Sequence, residues 1–206
     1  MDEKVMHKLS YGLFVLTTKD KDDVKDTGCI VNTVTQVTST PNRITVAVNK
    51  SNYTAERILA TKKFAVSVLD TSVKFELFER FGFHSGRDTD KFRGFDAWDT
   101  ASNGCAFVTA GTNGYLCADV ADVCDLGTHY LFIADVTDGA VLSGRESCTY
   151  AYYHANVKPK PQKNDKGQTV WRCTICGYEY VGEELPDGFV CPICKHPASD
   201  FEKVTK

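Results

Sequence analysis

Four cysteines in the last part of this sequence are spaced to hold a metal: Cys173-Thr-Ile-Cys176 and Cys191-Pro-Ile-Cys194, with fourteen residues between the pairs. A Cys-x-x-Cys turn aims two thiolates at one point, and two such turns complete a tetrahedron of sulfurs that selects zinc or iron. The surrounding segment of about 40 residues is too short to be stable by burial alone, so metal binding there is also folding. Gly177, directly after the first pair, permits backbone N–H groups to approach the sulfurs, and such contacts tune a redox metal. Trp171, Tyr178, Tyr180, Phe189 and Phe201 are placed to wrap the site in aromatic carbon. The segment is acidic, whereas many zinc ribbons that bind nucleic acid are basic. On these residues alone, structural zinc and redox iron both stay open.

A second set of residues could hold an anion beside a hydrogen-bonding strand. Asn32-Thr-Val-Thr-Gln-Val-Thr38 is a run of hydroxyl and amide side chains, which an exposed strand face also favours. Asn49-Lys-Ser-Asn-Tyr-Thr54 precedes a helix, whose free N–H groups and dipole attract a phosphate, and which ordinary capping also explains. Ser85-Gly-Arg-Asp-Thr-Asp-Lys91 is a glycine-containing loop with two cations. Each is weak alone; if the fold brings them together, they would form a phosphate grip beside a strand of donors and acceptors. No GxSxG, HExxH, Walker A or GxGxxG motif occurs in residues 1–156, and the histidines there are dispersed. Nothing pairs Cys29 with a distant histidine as a nucleophile.

The elements that must position these residues are mostly strands. Tyr11–Thr18, Gly28–Thr38, Arg43–Asn49, Lys63–Leu69, Tyr115–Val123 and Thr128–Val136 are rich in Val, Ile, Thr, Phe and Tyr and are bounded by polar or turn residues. Two helices interrupt them. Thr54–Ala60 starts at a Ser/Thr cluster, and Val73–Phe81 follows Asp70-Thr-Ser72 and stops at Gly82, a C-cap residue type. Phe75, Phe78 and Phe81 share a face that belongs in the core. Many strands and few helices over residues 1–156 predict a mainly β fold, a closed barrel. Residues 157–167 contain prolines and lysines and almost nothing apolar, as in an exposed, semi-extended tether. The chain therefore divides into 1–156, a linker at 157–167 and a metal domain at 168–206.

The 206 residues carry a net charge of −3, with 42% hydrophobic and 25% charged residues, an ordinary globular balance that favours neither nucleic acid nor an anionic membrane surface as partner. No basic start with an apolar run behind it marks a secretory signal, and no stretch has the apolar length of a membrane helix. The remaining five of the nine cysteines (Cys29, Cys105, Cys117, Cys124, Cys148) lack ligand spacing and read as buried, reduced side chains. That pattern suits a reducing cytoplasm.

Two resemblances sharpen this reading. Trp171-Arg-Cys-Thr-Ile-Cys-Gly-Tyr-Glu-Tyr180 and Leu185-Pro-Asp-Gly-Phe-Val-Cys-Pro-Ile-Cys194 resemble the two ligand loops of rubredoxins, with a short spacer similar to that of the rubredoxin-like domain of rubrerythrins. This implies one mononuclear iron held by Cys173, Cys176, Cys191 and Cys194. Tyr11-Gly-Leu-Phe-Val-Leu-Thr-Thr18, Gly28–Thr38, Ala47–Thr54, Gly127–Ile133 and Thr149–His154 resemble the flavin reductase-like, FMN-binding split-barrel family. That resemblance implies a homodimer with FMN near the interface. Asn32, Thr33, Val34, Gln36, Val37 and Thr38 would lie against the flavin ring, Lys50, Ser51 and Thr54 would hold the phosphate, and Ser85, Arg87 and Lys91 would close on it.

The fusion resembles electron-transfer proteins of anaerobic bacteria. It implies an oxidoreductase that takes a hydride from NAD(P)H onto FMN and passes electrons one at a time to the four-cysteine iron. From there they go to a soluble protein acceptor, of which a flavodiiron protein is one candidate. The alternatives are an electron carrier reduced by a separate reductase, and a binding module with structural zinc.

Overall fold

The computed structural model describes residues 5, 8–21, 25–159, 169–175, 177–191 and 196–204. Seven strands form one antiparallel sheet. In chain order they are β1 (Phe14–Lys19), β2 (Asp26–Val31), β3 (Thr35–Ser39), β4 (Asn42–Asn49), β5 (Lys63–Leu69), and, after a small hairpin of β6 (Trp98–Thr100) and β7 (Ala106–Val108), β8 (Thr112–Asp125) and β9 (His129–Val141). Their order in the sheet is β2-β1-β5-β8-β9-β4-β3. The two edge strands, β2 and β3, are consecutive in the chain and only residues 32–34 join them. A link that short keeps the edges close, so the sheet curls into a barrel with its split at Asn32-Thr33-Val34. The predicted single strand Gly28–Thr38 is thus two strands. The residues expected to line a ligand form the crossing between them.

β8 and β9 are longer than their predicted ranges, and register shifts at Cys117/Ala118 and Val120/Asp122 bend the pair, as closing a barrel requires. The interior is filled by Leu16, Val46, Phe64, Val66, Ile58 and Phe132, all essentially solvent-free. β1 is buried on both faces: Leu16 points into this core, while Val15 joins a second cluster with Leu69, Leu77, Phe78 and Phe81 under the second helix. Two apolar layers therefore lie either side of one sheet.

Helix α1 (Tyr53–Thr61) starts one residue before its predicted range. Its N-cap is Asn52, whose side chain accepts a hydrogen bond from Thr54 N at 3.1 Å. It ends at Lys62, which takes the left-handed conformation (φ 57°) that usually falls to glycine. Helix α2 (Phe75–Gly82) departs from the reading at both ends. Asp70 Oδ1 accepts from Ser72 N and Oγ at 2.7 and 2.6 Å, a local turn one step too early to cap the helix, and Lys74 is the N-cap without a side-chain bond. Gly82 is the last helical residue, not a left-handed cap; its Cα lies over β2, where an added Cβ would meet Ile30 Cγ1 at 3.4 Å. After β9 comes α3 (Tyr150–Tyr152), capped by Thr149 and continued as a wider turn through Val157.

The second unit is a three-stranded sheet, β11-β10-β12, of β10 (Val170–Cys173), β11 (Glu179–Val181) and β12 (Phe201–Val204). Its small core joins Cys173, Cys191 and Phe201 to Trp171, Tyr178, Leu185 and Phe189, and Phe83 of the barrel packs against the same cluster. Lys158, where the chain leaves the barrel, donates its Nζ to the Thr174 carbonyl in the first ligand turn. Among the described residues no helix is long and apolar enough to cross a membrane.

Candidate functional site

Three segments meet around the barrel's split. In the crossing, Thr33 is fixed by two bonds to β4: its Oγ1 donates to the Ala47 carbonyl (2.7 Å) and accepts from Ala47 N (3.1 Å). Val34 packs on the barrel core, and Asn32 is half-buried beside it. All of β3 is exposed, including Gln36, Thr38 and Val37, the last with 49% of its surface in solvent. Gln36 Nε2 donates to Asn42 Oδ1 (2.9 Å), and Thr38 Oγ1 donates to the Pro41 carbonyl (2.6 Å). These are weak surface bonds that a ligand can exchange for its own.

The turn before α1 comes next. Ser51 N and Oγ both donate to Asn49 Oδ1 at 2.9 Å, which shapes the entry to the helix. Lys50 Nζ stands 2.5 Å from Asp125 Oδ1 and 4.8 Å from the centre of the Tyr130 ring. Thr54 is different from its expected place: it is buried, with 1% exposure, and faces the buried Cys29 thiol, which also meets Asn52. Burial pushes that thiol up from its ordinary range, so Cys29 is a neutral packing group here.

The loop after α2 closes onto this turn. Arg87 Nη2 donates to Glu56 Oε2 (2.7 Å) in the first turn of α1, and its guanidinium lies 4.8 Å over the Tyr53 ring. Ser85 Oγ accepts from Arg87 N at 3.1 Å. Gly86 sits so close to β2 that a Cβ there would lie 2.0 Å from Thr27 Oγ1 and 3.1 Å from Tyr53 Cδ1. Thr27 Oγ1 is buried and has no hydrogen-bond partner among the described residues. Lys91 does not stand with Arg87 at the surface. It is 3% exposed and its Nζ donates to the carbonyls of Gly28 (2.7 Å) and Phe81 (2.9 Å), tying β2 to α2 from inside.

This is a seam with a helix N-terminus, a glycine that lets a loop lie flush, and two cations, Lys50 and Arg87, each in an exchangeable ion pair and over an aromatic ring. The chemistry fits a phosphate with a planar ring beside it. Thr27 and Glu56 were not singled out from the sequence, and Asn52, Tyr53 and Gly86 entered only as members of the quoted motifs, with no role given to each. Asn52 was legible as a capping residue type; Thr27 and Glu56 carry no local signal, because only the fold brings them to the loop.

In the small unit, Cys173 and Cys191 are completely buried among Trp171, Tyr178, Phe189 and Phe201, with Tyr180 against Phe189 at 5.0 Å between ring centres. Cys173 N donates to the Tyr178 carbonyl, Gly177 N to the Cys173 carbonyl and Cys191 N to the His196 carbonyl, at 2.8, 2.9 and 2.8 Å. These bonds fold each ligand turn back on itself. Gly177 is needed for its left-handed φ of 82°; a Cβ there would have its nearest neighbour, Pro159 O, at 3.8 Å. Cys176 and Cys194 lie outside the described residues. Of the other five cysteines, Cys29, Cys105, Cys117 and Cys148 are buried and Cys124 is half-buried.

Solved structures share the barrel. The NADH:FAD oxidoreductase SgcE6 of Streptomyces globisporus, in complex with NAD and FAD fragments, superposes with a TM-score of 0.64 at 23% identity, covering 79% of this chain and 92% of that one. An FMN-binding protein from Thermus thermophilus superposes with a TM-score of 0.59 at 20% identity, covering 67% and 75%. The sequence profile of the flavin reductase like domain matches residues 6–160, and that of the rubrerythrin, rubredoxin-like domain matches residues 171–202. The chain belongs to the flavin reductase-like family and carries a rubredoxin-like domain behind the barrel; it is an oxidoreductase. It is 38% identical to a high molecular weight rubredoxin of Moorella thermoacetica, over 99% of this chain and the whole of that one. It is also 38% identical to a ferric-chelate reductase (NAD(P)H) of Archaeoglobus fulgidus, over 78% of this chain and 93% of that one.

Proposed function

We propose that this chain is an electron-transfer oxidoreductase that draws on NAD(P)H, holds FMN at the barrel's split and holds one iron in its rubredoxin-like domain. The observation that carries the reading is the presence in one chain of a split barrel with an exchangeable anion cradle and of two solvent-free cysteines in an aromatic shell. Two relatives that match 99% and 78% of the chain, a rubredoxin and an NAD(P)H-linked reductase by name, support the same pairing.

In this reading Asn32, Thr33, Val34, Gln36, Val37 and Thr38 border the flavin ring. Lys50, Ser51 and Arg87 hold its phosphate at the start of α1, and Ser85 shapes the loop that carries Arg87. Thr54 and Lys91 act from beneath, by packing and charge. Cys173, Cys176, Cys191 and Cys194 hold the iron, and the aromatic shell keeps water from it. A flavin accepts hydride and releases electrons singly, and the protein's part is to hold, orient and shield. No acid or base side chain is required at the seam for that role. Residues 1–156 and 168–206 act as the two units, with 157–167 between them, in a homodimer in the cytoplasm. Electrons leave the iron for a soluble protein, with a flavodiiron protein as the candidate acceptor.

The test is an absorption spectrum of protein purified without oxygen, before and after NADH, with iron, zinc and FMN quantified on the same sample. Flavin and ferric-thiolate bands that both bleach support the whole relay. Bands that stay unmoved leave a carrier fed by another reductase. A colourless protein with stoichiometric zinc that cannot be reconstituted with FMN and iron ends the redox reading.

A further inference from the structure

Among the described residues, an aromatic side chain of the barrel packs on the rubredoxin-like domain, and its chain neighbours lead straight to the flavin seam. Phe83 follows the last residue of α2, and its side chain packs on the cluster that contains Cys173, Cys191 and Phe201. It is braced from the barrel side by Phe75, with ring centres 5.8 Å apart. Gly82, one residue earlier, rests on Ile30 of β2, two residues before Asn32. Ser85, two residues later, begins the loop that Arg87 fastens to Glu56 on α1. The same side of the metal domain is held where the chain leaves the barrel, since Lys158 reaches the Thr174 carbonyl and Pro159 O lies beside Gly177.

From this placement we infer that Phe83 is a positioning residue that docks the metal domain on the barrel of its own chain, with the first ligand turn beside the flavin loop. The occupant of the Phe83 face is the cluster around Cys173, Cys191 and Phe201 of this same chain, and the contact from Lys158 makes the docking continuous with the covalent connection. The inference rests on the proposed flavin and iron assignments and adds the route. Each electron that crosses reduces one ferric iron to ferrous. The two electrons of one hydride therefore cross in two events, with the external acceptor reoxidising the iron between them and the hydride's one proton released to solvent. Docking raises the fraction of time the two centres are close, as any tethered contact does.

The experiment compares the full, loaded chain with Phe83→Ser and the conservative Phe83→Tyr. Small-angle scattering reads docking without any turnover, and anaerobic rapid mixing with NADH reads flavin and iron separately. The expected result is a larger radius of gyration in Phe83→Ser. Its iron bleaching should slow by about tenfold, the loss of roughly one modest apolar contact, with flavin bleaching within about twofold of the parent. Phe83→Tyr should restore both the compact form and the iron rate. An iron rate that Phe83→Ser leaves unchanged overturns the inference, and so does iron reduction in the parent that scales with protein concentration. Failure of the underlying reading looks different: iron that never bleaches in the parent, or no flavin bound.

Discussion

The Lys91 ammonium lies 2.7 Å from the carbonyl oxygen of Gly28 and 2.9 Å from that of Phe81, with no carboxylate bonded to it among the described residues. Its other electrostatic neighbour is the Cys29 thiol, and burial pulls the lysine down to about 8. In the unfolded chain it titrates near 10.5. Between about pH 8 and 10.5 the unfolded state therefore binds more protons than the folded one, so stability rises with pH through this window. Below pH 8 the full penalty of the buried charge is present. The gain across the window is on the order of 3 kcal/mol. Lys91→Met should remove this rise. At pH 7 it should change stability by less than about 2 kcal/mol, because removing the buried charge offsets leaving two carbonyls unpaired. Urea unfolding of both proteins at pH 7.5 and 10 checks this; parallel pH profiles would contradict it.

Gly86 is expected to tolerate no side chain. An added Cβ would stand 2.0 Å from Thr27 Oγ1, so the loop must lift away from β2. Gly86→Ala should destabilise the barrel by about 1–3 kcal/mol and loosen FMN. Thr27→Ala should be mild, since the hydroxyl makes no hydrogen bond among the described residues, and it should partly rescue Gly86→Ala. The rescue is partial because Thr27 Cβ itself stands 3.3 Å from that position. Unfolding curves for the two single variants and the double variant give the coupling; strictly additive effects would mean the clash is not with Thr27.

How much of this was legible beforehand depended on whether a signal was local. β5 was read to the residue, because Lys63–Leu69 is a compact β-branched and aromatic run with a polar boundary at either end. The crossing at Asn32-Thr33-Val34 was not, because its residues have strand propensities. What breaks the strand is the curl of a seven-stranded sheet, and that is a long-range property. Lys91 looked like a surface cation in a polar loop. Only the tertiary fold supplies the two carbonyls that draw it inward. Gly82 looked like a helix stop and serves instead as a close approach to Ile30. The Cys-x-x-Cys pairs were the strongest local signal, since metal geometry fixes the spacing of ligands within a few residues of each other.

Arg87 and Glu56 separate ligand binding from folding. Both side chains are about half in solvent, and their pairing lowers the Glu56 carboxyl and raises the Arg87 guanidinium from their ordinary ranges. An ion pair this exposed is screened and adds little to stability. Arg87→Ala should leave the unfolding midpoint unchanged within error and weaken FMN binding by about tenfold, as expected on losing one charge-assisted bond to phosphate. Glu56→Gln should bind FMN as well as the parent or better, since it frees the guanidinium. Fluorescence titration of the flavin-free protein measures both. Equal affinity for Arg87→Ala and the parent would remove this loop from the phosphate site.

Removing the metal should unfold the small unit and spare the barrel. Apart from Phe83, every member of the cluster around Cys173, Cys191 and Phe201 comes from residues 171–201, and the two larger cores contain none of them. A core this small depends on its metal, and Cys173 and Cys191, solvent-free when folded, would have to pack as thiols without it. Chelation, or Cys173→Ser, should raise amide exchange at Cys173 and Thr174 on the order of a hundredfold. Exchange at Leu16, Val46 and Phe64 should stay within about threefold of its starting value, since local openings in separate cores are independent. Exchange followed by mass spectrometry reads both regions in one sample. If the barrel amides lost protection together with Cys173 and Thr174, barrel and metal domain would fold as one cooperative unit, joined by far more than the Phe83 contact.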